Sequence, residues 1–180
     1  MNFFEAIKSG FGKYIIFSGR ARRAEFWWFA LFVVLGGIVA GYLDFRLFPS
    51  MLSGPPTPGI SPMSPITGHA SGPIASLFVL AIFLPYLAVG WRRLHDTGRP
   101  GWYLLIPTLL MVALIAIVIV SFGGAELMGV DPQSAPLAMK FVGLLSMVLI
   151  AASLISNLVV FWWFTRPTQA GKNQYGPEPD

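Results

Sequence analysis

Four long stretches of this chain contain no charged side chain: 26–43, 74–90, 102–122 and 141–164. A helix crosses the hydrocarbon core of a bilayer with about 20 apolar residues, range about 17–25. The four stretches are about that long. They therefore predict an all-α, polytopic membrane protein, a bundle of four transmembrane helices. Pro85 in the second stretch invites a kink, whereas Pro107 lies in the first turns of the third, where a proline costs less.

Four spans put both termini and the 91–101 connection on one side of the membrane. That side collects Lys8, Lys13, Arg20, Arg22, Arg23, Arg92, Arg93, Arg99, Arg166 and Lys172, and the other has only Arg46 and Lys140. Basic residues concentrate on the cytoplasmic side of membrane proteins, so the asymmetry predicts cytoplasmic N- and C-termini. Adding or removing one span would split the basic clusters across both faces. Trp27, Trp28, Trp91, Trp102, Trp162 and Trp163 all fall at the same ends of the spans, where indoles anchor in the interface.

The segments around the spans divide the single domain, residues 1–180, further. In 3–15, Phe3, Phe4, Ile7, Phe11, Tyr14 and Ile15 share one face at 100° per residue, with Glu5, Lys8 and Lys13 off it. This predicts an N-terminal amphipathic helix in the interface, docked on the bilayer or the bundle. Glu5 and Lys8 interrupt any early apolar core, so a cleaved signal is not expected. Residues 47–73 carry seven prolines among glycine and serine, a composition that predicts an extended or disordered outer loop, with His69 solvated. A second outer loop spans 124–140, and 165–180 form a cytoplasmic tail. No internal repeat of the inverted-transporter kind is evident.

Only 11% of the residues are charged and 55% are hydrophobic, against about a quarter charged in soluble domains. The formal charge of +4 is explained by membrane orientation, and so little soluble chain leaves no room for a nucleic-acid recognition fold. The absence of cysteine excludes disulfides, thiolate catalysis and cysteine-ligated metals.

Chemistry-bearing residues gather in two motifs. The first is Ser18-Gly19-Arg20-Ala21-Arg22-Arg23-Ala24-Glu25-Phe26-Trp27-Trp28, and the second is Arg92-Arg93-Leu94-His95-Asp96-Thr97-Gly98-Arg99-Pro100-Gly101-Trp102. Continued helix past the second span places Arg92 and Asp96 at i, i+4, a pairing distance. Gly98 fits the left-handed position that ends a helix, and Pro100 prevents its continuation. Ser18 is a candidate cap for the first span. Glu25, at the membrane edge, requires a cationic partner, with Arg22, Arg92 and Arg93 as candidates.

These motifs, with the closing Gly171-Lys172-Asn173-Gln174-Tyr175-Gly176-Pro177-Glu178-Pro179, resemble the domain-of-unknown-function 805 family, YhaH-type small proteins of the bacterial inner membrane. The resemblance covers nearly the whole chain, with the Pro-rich loop as a departure. It implies a bacterial inner-membrane location and singles out Asn173 and Tyr175. It implies no activity, cofactor or catalytic residue.

Three function classes are open. The expected one is non-enzymatic: an arginine layer of Arg20, Arg22, Arg23, Arg92, Arg93 and Arg99, with Glu25, His95 and Asp96, that stabilises the bundle and binds anionic lipid or a partner protein. An enzyme acting on lipid phosphate would use His95 as base or nucleophile, oriented by Asp96 or Glu25. Adjacent residues on a helix point about 100° apart, which disfavours that couple. A transporter or channel places ionisable groups within the membrane, and these spans have none. Their polar cluster, Ser153, Ser156 and Asn157, is expected to make an interhelical hydrogen bond. The Gly37–Gly41 GxxxG suggests close helix packing within the bundle or between copies in a homo-oligomer.

Overall fold

The computed structural model describes residues 1–49, 72–127 and 136–179. The bulk of the Pro-rich loop, His69 included, and most of the second outer loop lie outside the described residues. Among the described residues the named α-helices are, in order, α1 (Phe3–Gly12), α2 (Arg23–Leu47), α3 (Pro73–Asp96), α4 (Ile106–Leu127) and α5 (Pro136–Thr165). A 3₁₀ turn, Gly101–Leu105, leads into α4. The stretches Arg23–Leu47, Pro73–Asp96, Gly101–Ser121 and Lys140–Thr165 are each long and apolar enough to cross a bilayer. The protein is an all-helical four-span bundle with an additional N-terminal helix, and no strand occurs among the described residues.

Each span meets its sequence neighbour: α2 packs along α3, and α4 along α5. The two pairs join at the end that carries the arginines, where Phe26, Phe29, Val89, Leu94, Val160 and Phe164 form the buried core. Phe26 and Phe164 pack as tilted rings with centroids 4.2 Å apart, and Trp27 meets Phe161 edge-on at 5.6 Å. Elsewhere the spans turn Ile38, Leu80, Val120 and Met147 outward. Lipid tails are as apolar as leucine, so such exposure carries no solvation cost in a bilayer.

Helix α1 begins with a reciprocal cap: Glu5 N donates to Asn2 Oδ1 at 2.9 Å, and Asn2 N donates to Glu5 Oε2 at 2.9 Å. It ends at Gly12, three residues short of the expected boundary. It docks on α2, and the face it buries is the small one, Ala6 and Gly10. Phe11 packs edge-on to Phe29 and Phe32, while Phe4 and Ile15 point outward.

Two polar devices hold the spans together. Pro85 has no N–H, so it leaves the carbonyl of Ala81 without its intrahelical donor. Tyr14 Oη donates to that carbonyl at 2.6 Å. At the far end, Asp44 is 1% exposed and accepts from Ile74 N at 2.9 Å and Ala75 N at 2.7 Å. A carboxylate from α2 thus caps the N-terminus of α3, complementing that helix's dipole. In the sequence, Asp44 marks only the end of an apolar run.

Two packing expectations are corrected, and a third is met by another member of its cluster, Ser153 in place of Asn157. Gly37 and Gly41 face open space, so this GxxxG makes no close contact within the bundle. The approach occurs one residue earlier, at Gly36, where a Cβ would collide with the Phe78 ring. Asn157 Nδ2 donates to Ser153 O at 2.9 Å within its own helix, and the interhelical donor is Ser153 Oγ, 3.5 Å from Pro107 O. Ser18 does not cap α2, whose N-cap is Arg22 with no side-chain cap bond.

Candidate functional site

At the arginine-rich end, the loop before α2 lies against the last turns of α3. Ala21 N donates to Arg92 O at 3.1 Å, and His95 Nδ1 lies 3.1 Å from Gly19 O. A carbonyl only accepts, so Nδ1 carries the proton in that bond. Helix α3 stops as the sequence predicts, with Gly98 at φ 75° and its N–H donating to His95 O at 3.0 Å. The two arginine motifs are thus brought side by side.

Their side chains form two ion-pair groups. Asp96 is fully buried, and its Oδ1 accepts from Arg20 Nε at 3.0 Å while Oδ2 accepts from Arg93 Nη1. The remaining guanidinium donors go to carbonyls. Arg20 reaches Gly171 O at 2.6 Å and Gln169 O, while Arg93 reaches Phe164 O at 3.3 Å and Arg166 O. Phe164 and Arg166 sit where α5 ends, and a helix end leaves carbonyls without internal donors. Arg93 therefore caps α5 while Arg20 ties down the tail.

In the second group, Arg92 Nη1 and Ser9 Oγ both donate to Glu25 Oε1 at 3.0 Å. The Arg92 and Glu25 side chains are 1% and 5% exposed. Arg92 Nε and Nη2 have no partner among the described residues. Three buried guanidiniums, on Arg20, Arg92 and Arg93, thus face two buried carboxylates. A cavity of about 490 Å³ opens beside Arg92, bounded by α1, the loop before α2, the end of α3 and the tail residues Gly176–Pro179.

The tail completes the site. Gln169 N donates to Asp96 O at 3.1 Å, and Asn173 Nδ2 donates to His95 O at 2.9 Å. Asn173 Oδ1 accepts from Tyr175 N at 2.9 Å, a local turn that brings the Tyr175 ring flat onto His95, centroids 3.8 Å apart. Arg22 forks onto Pro179 O through Nε and Nη2 at 3.0 and 2.9 Å.

A family profile described as "Protein of unknown function (DUF805)" matches residues 14–177. The chain belongs to this family. It is similar to the inner membrane protein YhaH of Escherichia coli K12, 31% identical over 68% of this chain and 92% of that protein. It is also similar to the inner membrane protein YhaI of the same strain, 34% identical over 67% of this chain and 88% of that one. No solved structure matches it.

In this DUF805 protein the expected residues converge, with different pairings. Arg92 does not pair with Asp96; it takes Glu25, and Asp96 takes Arg20 and Arg93. Arg20, Arg92 and Arg93 are buried between the loop before α2, the end of α3 and the tail. Arg23 stays exposed, its Nη1 3.5 Å from Thr165 O. Arg99 lies over the Trp163 ring and Arg166 over Trp162, at 4.8 and 4.4 Å. Burial, followed by the charge of Arg166, lowers the pKa of Arg99 from its ordinary value. Ser9, Asp44 and Tyr14 were not legible as partners, because each acts on a group distant in sequence. No cluster of metal-ligating side chains occurs among the described residues.

Proposed function

We propose that this DUF805 protein is a non-enzymatic, multi-pass protein of the bacterial inner membrane with both termini cytoplasmic. Its arginine layer holds the bundle and tail together, and the basic rim around that layer engages anionic lipid. The observation that carries this reading is the full use of Asp96, whose two oxygens both serve buried arginines. Asp96 therefore does not orient His95, whose Nδ1 turns to a backbone carbonyl instead. A base without an orienting acid and without a neighbouring nucleophile does not make a hydrolytic centre.

The rim supports the second half of the reading. Lys8, Lys13, Arg23, Arg166 and Lys172 are exposed at this one end. Basic groups at an anionic surface contribute about 1 kcal/mol each, and the attraction fades within a Debye length. Ten of the twelve basic residues fall at this end, which supports a cytoplasmic assignment. The test compares thermal unfolding in nanodiscs of zwitterionic lipid with and without phosphatidylglycerol. The expected result is a higher midpoint with the anionic lipid at low salt, shrinking in 1 M salt. Equal midpoints at low salt would overturn the lipid-binding half.

A further inference from the structure

We infer that the cavity beside Arg92 is a binding site for a phosphate group. The inference rests on the reading of the arginine layer as an anion-engaging face, and it narrows that face to one pocket. Four observations meet there. The Arg92 side chain is 1% exposed, and its nitrogens Nε and Nη2, which carry three N–H groups, have no partner among the described residues. A buried guanidinium with unmet donors is costly, because desolvation is not repaid. The buried layer also carries one more guanidinium than carboxylate. Lys13 lines the same cavity and pairs with no described residue, and Arg22 lines it as well, with Nε and Nη2 donating to Pro179 O.

The cavity volume, about 490 Å³, falls in the roughly 300–1,000 Å³ range of small-molecule sites. Its walls offer the donor types that recognise phosphate: arginine as a planar fork, lysine as a point charge, and a serine hydroxyl at Ser9. Glu25 and Glu178 line it too, but the charge of Glu25 is spent on Arg92 Nη1, with Ser9 donating to the same oxygen, and Glu178 Oε2 accepts from Gly171 N at 2.8 Å. A planar carboxylate ligand would use one fork, whereas the several oxygens of a phosphate can accept from Arg92, Arg22 and Lys13 together. Helix α1 lines the cavity through Ser9, and Phe4 within it and Ile15 after it turn outward, an apolar face that suits head-group depth. A phospholipid head group and a free phosphate share the chemistry, and the test separates them.

The experiment titrates inorganic phosphate into the full chain in uncharged detergent, and separately places the chain in nanodiscs containing phosphatidylglycerol. Thermal unfolding and native mass spectrometry are the readouts. In the wild type, one phosphate group is expected to bind saturably and to survive 1 M salt, which the diffuse attraction of the rim does not. Lys13→Gln with Arg22→Gln, both at partly or fully exposed positions, should weaken binding roughly tenfold to a hundredfold, as lost charge-assisted hydrogen bonds do. Glu25→Gln should act in the opposite direction. It unfolds at a lower temperature without ligand, recovers with phosphate, and binds phosphate several-fold more tightly than the wild type. A merely structural Glu25 would give the loss without the recovery. Saturable binding in detergent alone assigns free phosphate. Salt-resistant retention of one phosphatidylglycerol, with no response to inorganic phosphate, assigns the lipid. Absence of both, or equal affinity in the wild type and the Lys13/Arg22 variant, overturns the site. The rim reading stands or falls separately, on the salt-sensitive part of the stabilisation.

Discussion

Asp96→Asn removes the carboxylate shared by Arg20 and Arg93 while keeping the side chain's shape. All three side chains are at most 1% exposed. Breaking a buried ion pair from one side costs about 3–5 kcal/mol, because a charge is left without compensation. Here each guanidinium keeps two carbonyl acceptors, Gly171 and Gln169 for Arg20, and Phe164 and Arg166 for Arg93. The expected loss therefore sits near the lower limit, about 3 kcal/mol, a shift of roughly a hundredfold in the folding equilibrium. The assay is reversible unfolding by SDS in mixed micelles, read by tryptophan fluorescence. The apolar replacement Arg20→Met, Arg93→Met, Asp96→Leu provides the contrast. Buried ionic triads replaced by well-packed hydrophobic residues are often neutral in stability, so the bundle should return to within about 1 kcal/mol of wild type. The tail should not return, because Gly171 and Gln169 lose their donors. Trypsin cleavage after the exposed Lys172 should accelerate in both variants. An Asp96→Asn loss below about 1 kcal/mol, a minor fraction of the uncompensated-charge cost, would refute the reasoning.

Further outcomes follow from other contacts. Tyr14→Phe should cost about 0.5–1.5 kcal/mol, the net worth of one hydrogen bond, in the same SDS assay. In a Pro85→Ala background, where residue 85 supplies the missing N–H to Ala81, the cost of Tyr14→Phe should vanish. Asp44→Ala should destabilise by about 1–3 kcal/mol, since two buried N–H groups of α3 lose their acceptor. Tyr175→Ala removes the ring stacked on His95 and should lower stability by about 0.5–1.5 kcal/mol, with faster cleavage after Lys172. The chain has no cysteine, so a single Lys172→Cys should react with a membrane-impermeant maleimide only after the membrane is opened from the cytoplasmic side.

The spans were legible because lipid enforces a crude rule: a run of uncharged residues long enough to cross it has few alternatives. The stop at Gly98 was legible for a similar reason, since a left-handed turn after a helix strongly favours glycine. Glu25 was legible as a carboxylate needing an arginine, and Arg92 was among the candidates. The Arg92–Asp96 pairing failed because the i, i+4 rule describes an exposed helix in water. Here both residues are buried, and each finds a better partner on another segment. The role of the tail was the least legible part. Asn173 and Tyr175 stood out through family likeness, but their work is done by a turn and a ring stack on His95. The carbonyls that Arg20 and Arg93 use leave no mark in a sequence, because every residue has one.

The tail has a further consequence for biogenesis. Residues 169–179 leave the ribosome after all four spans have been made, yet their carbonyls satisfy Arg20 and Arg22, which emerge among the first. Arg20 meets Asp96 only once α3 has been made, and Arg22 waits longer still for its carbonyl. Synthesis of the tail then supplies the missing acceptors. A chain without residues 169–179 would leave the arginine-bearing end of the bundle open and charged.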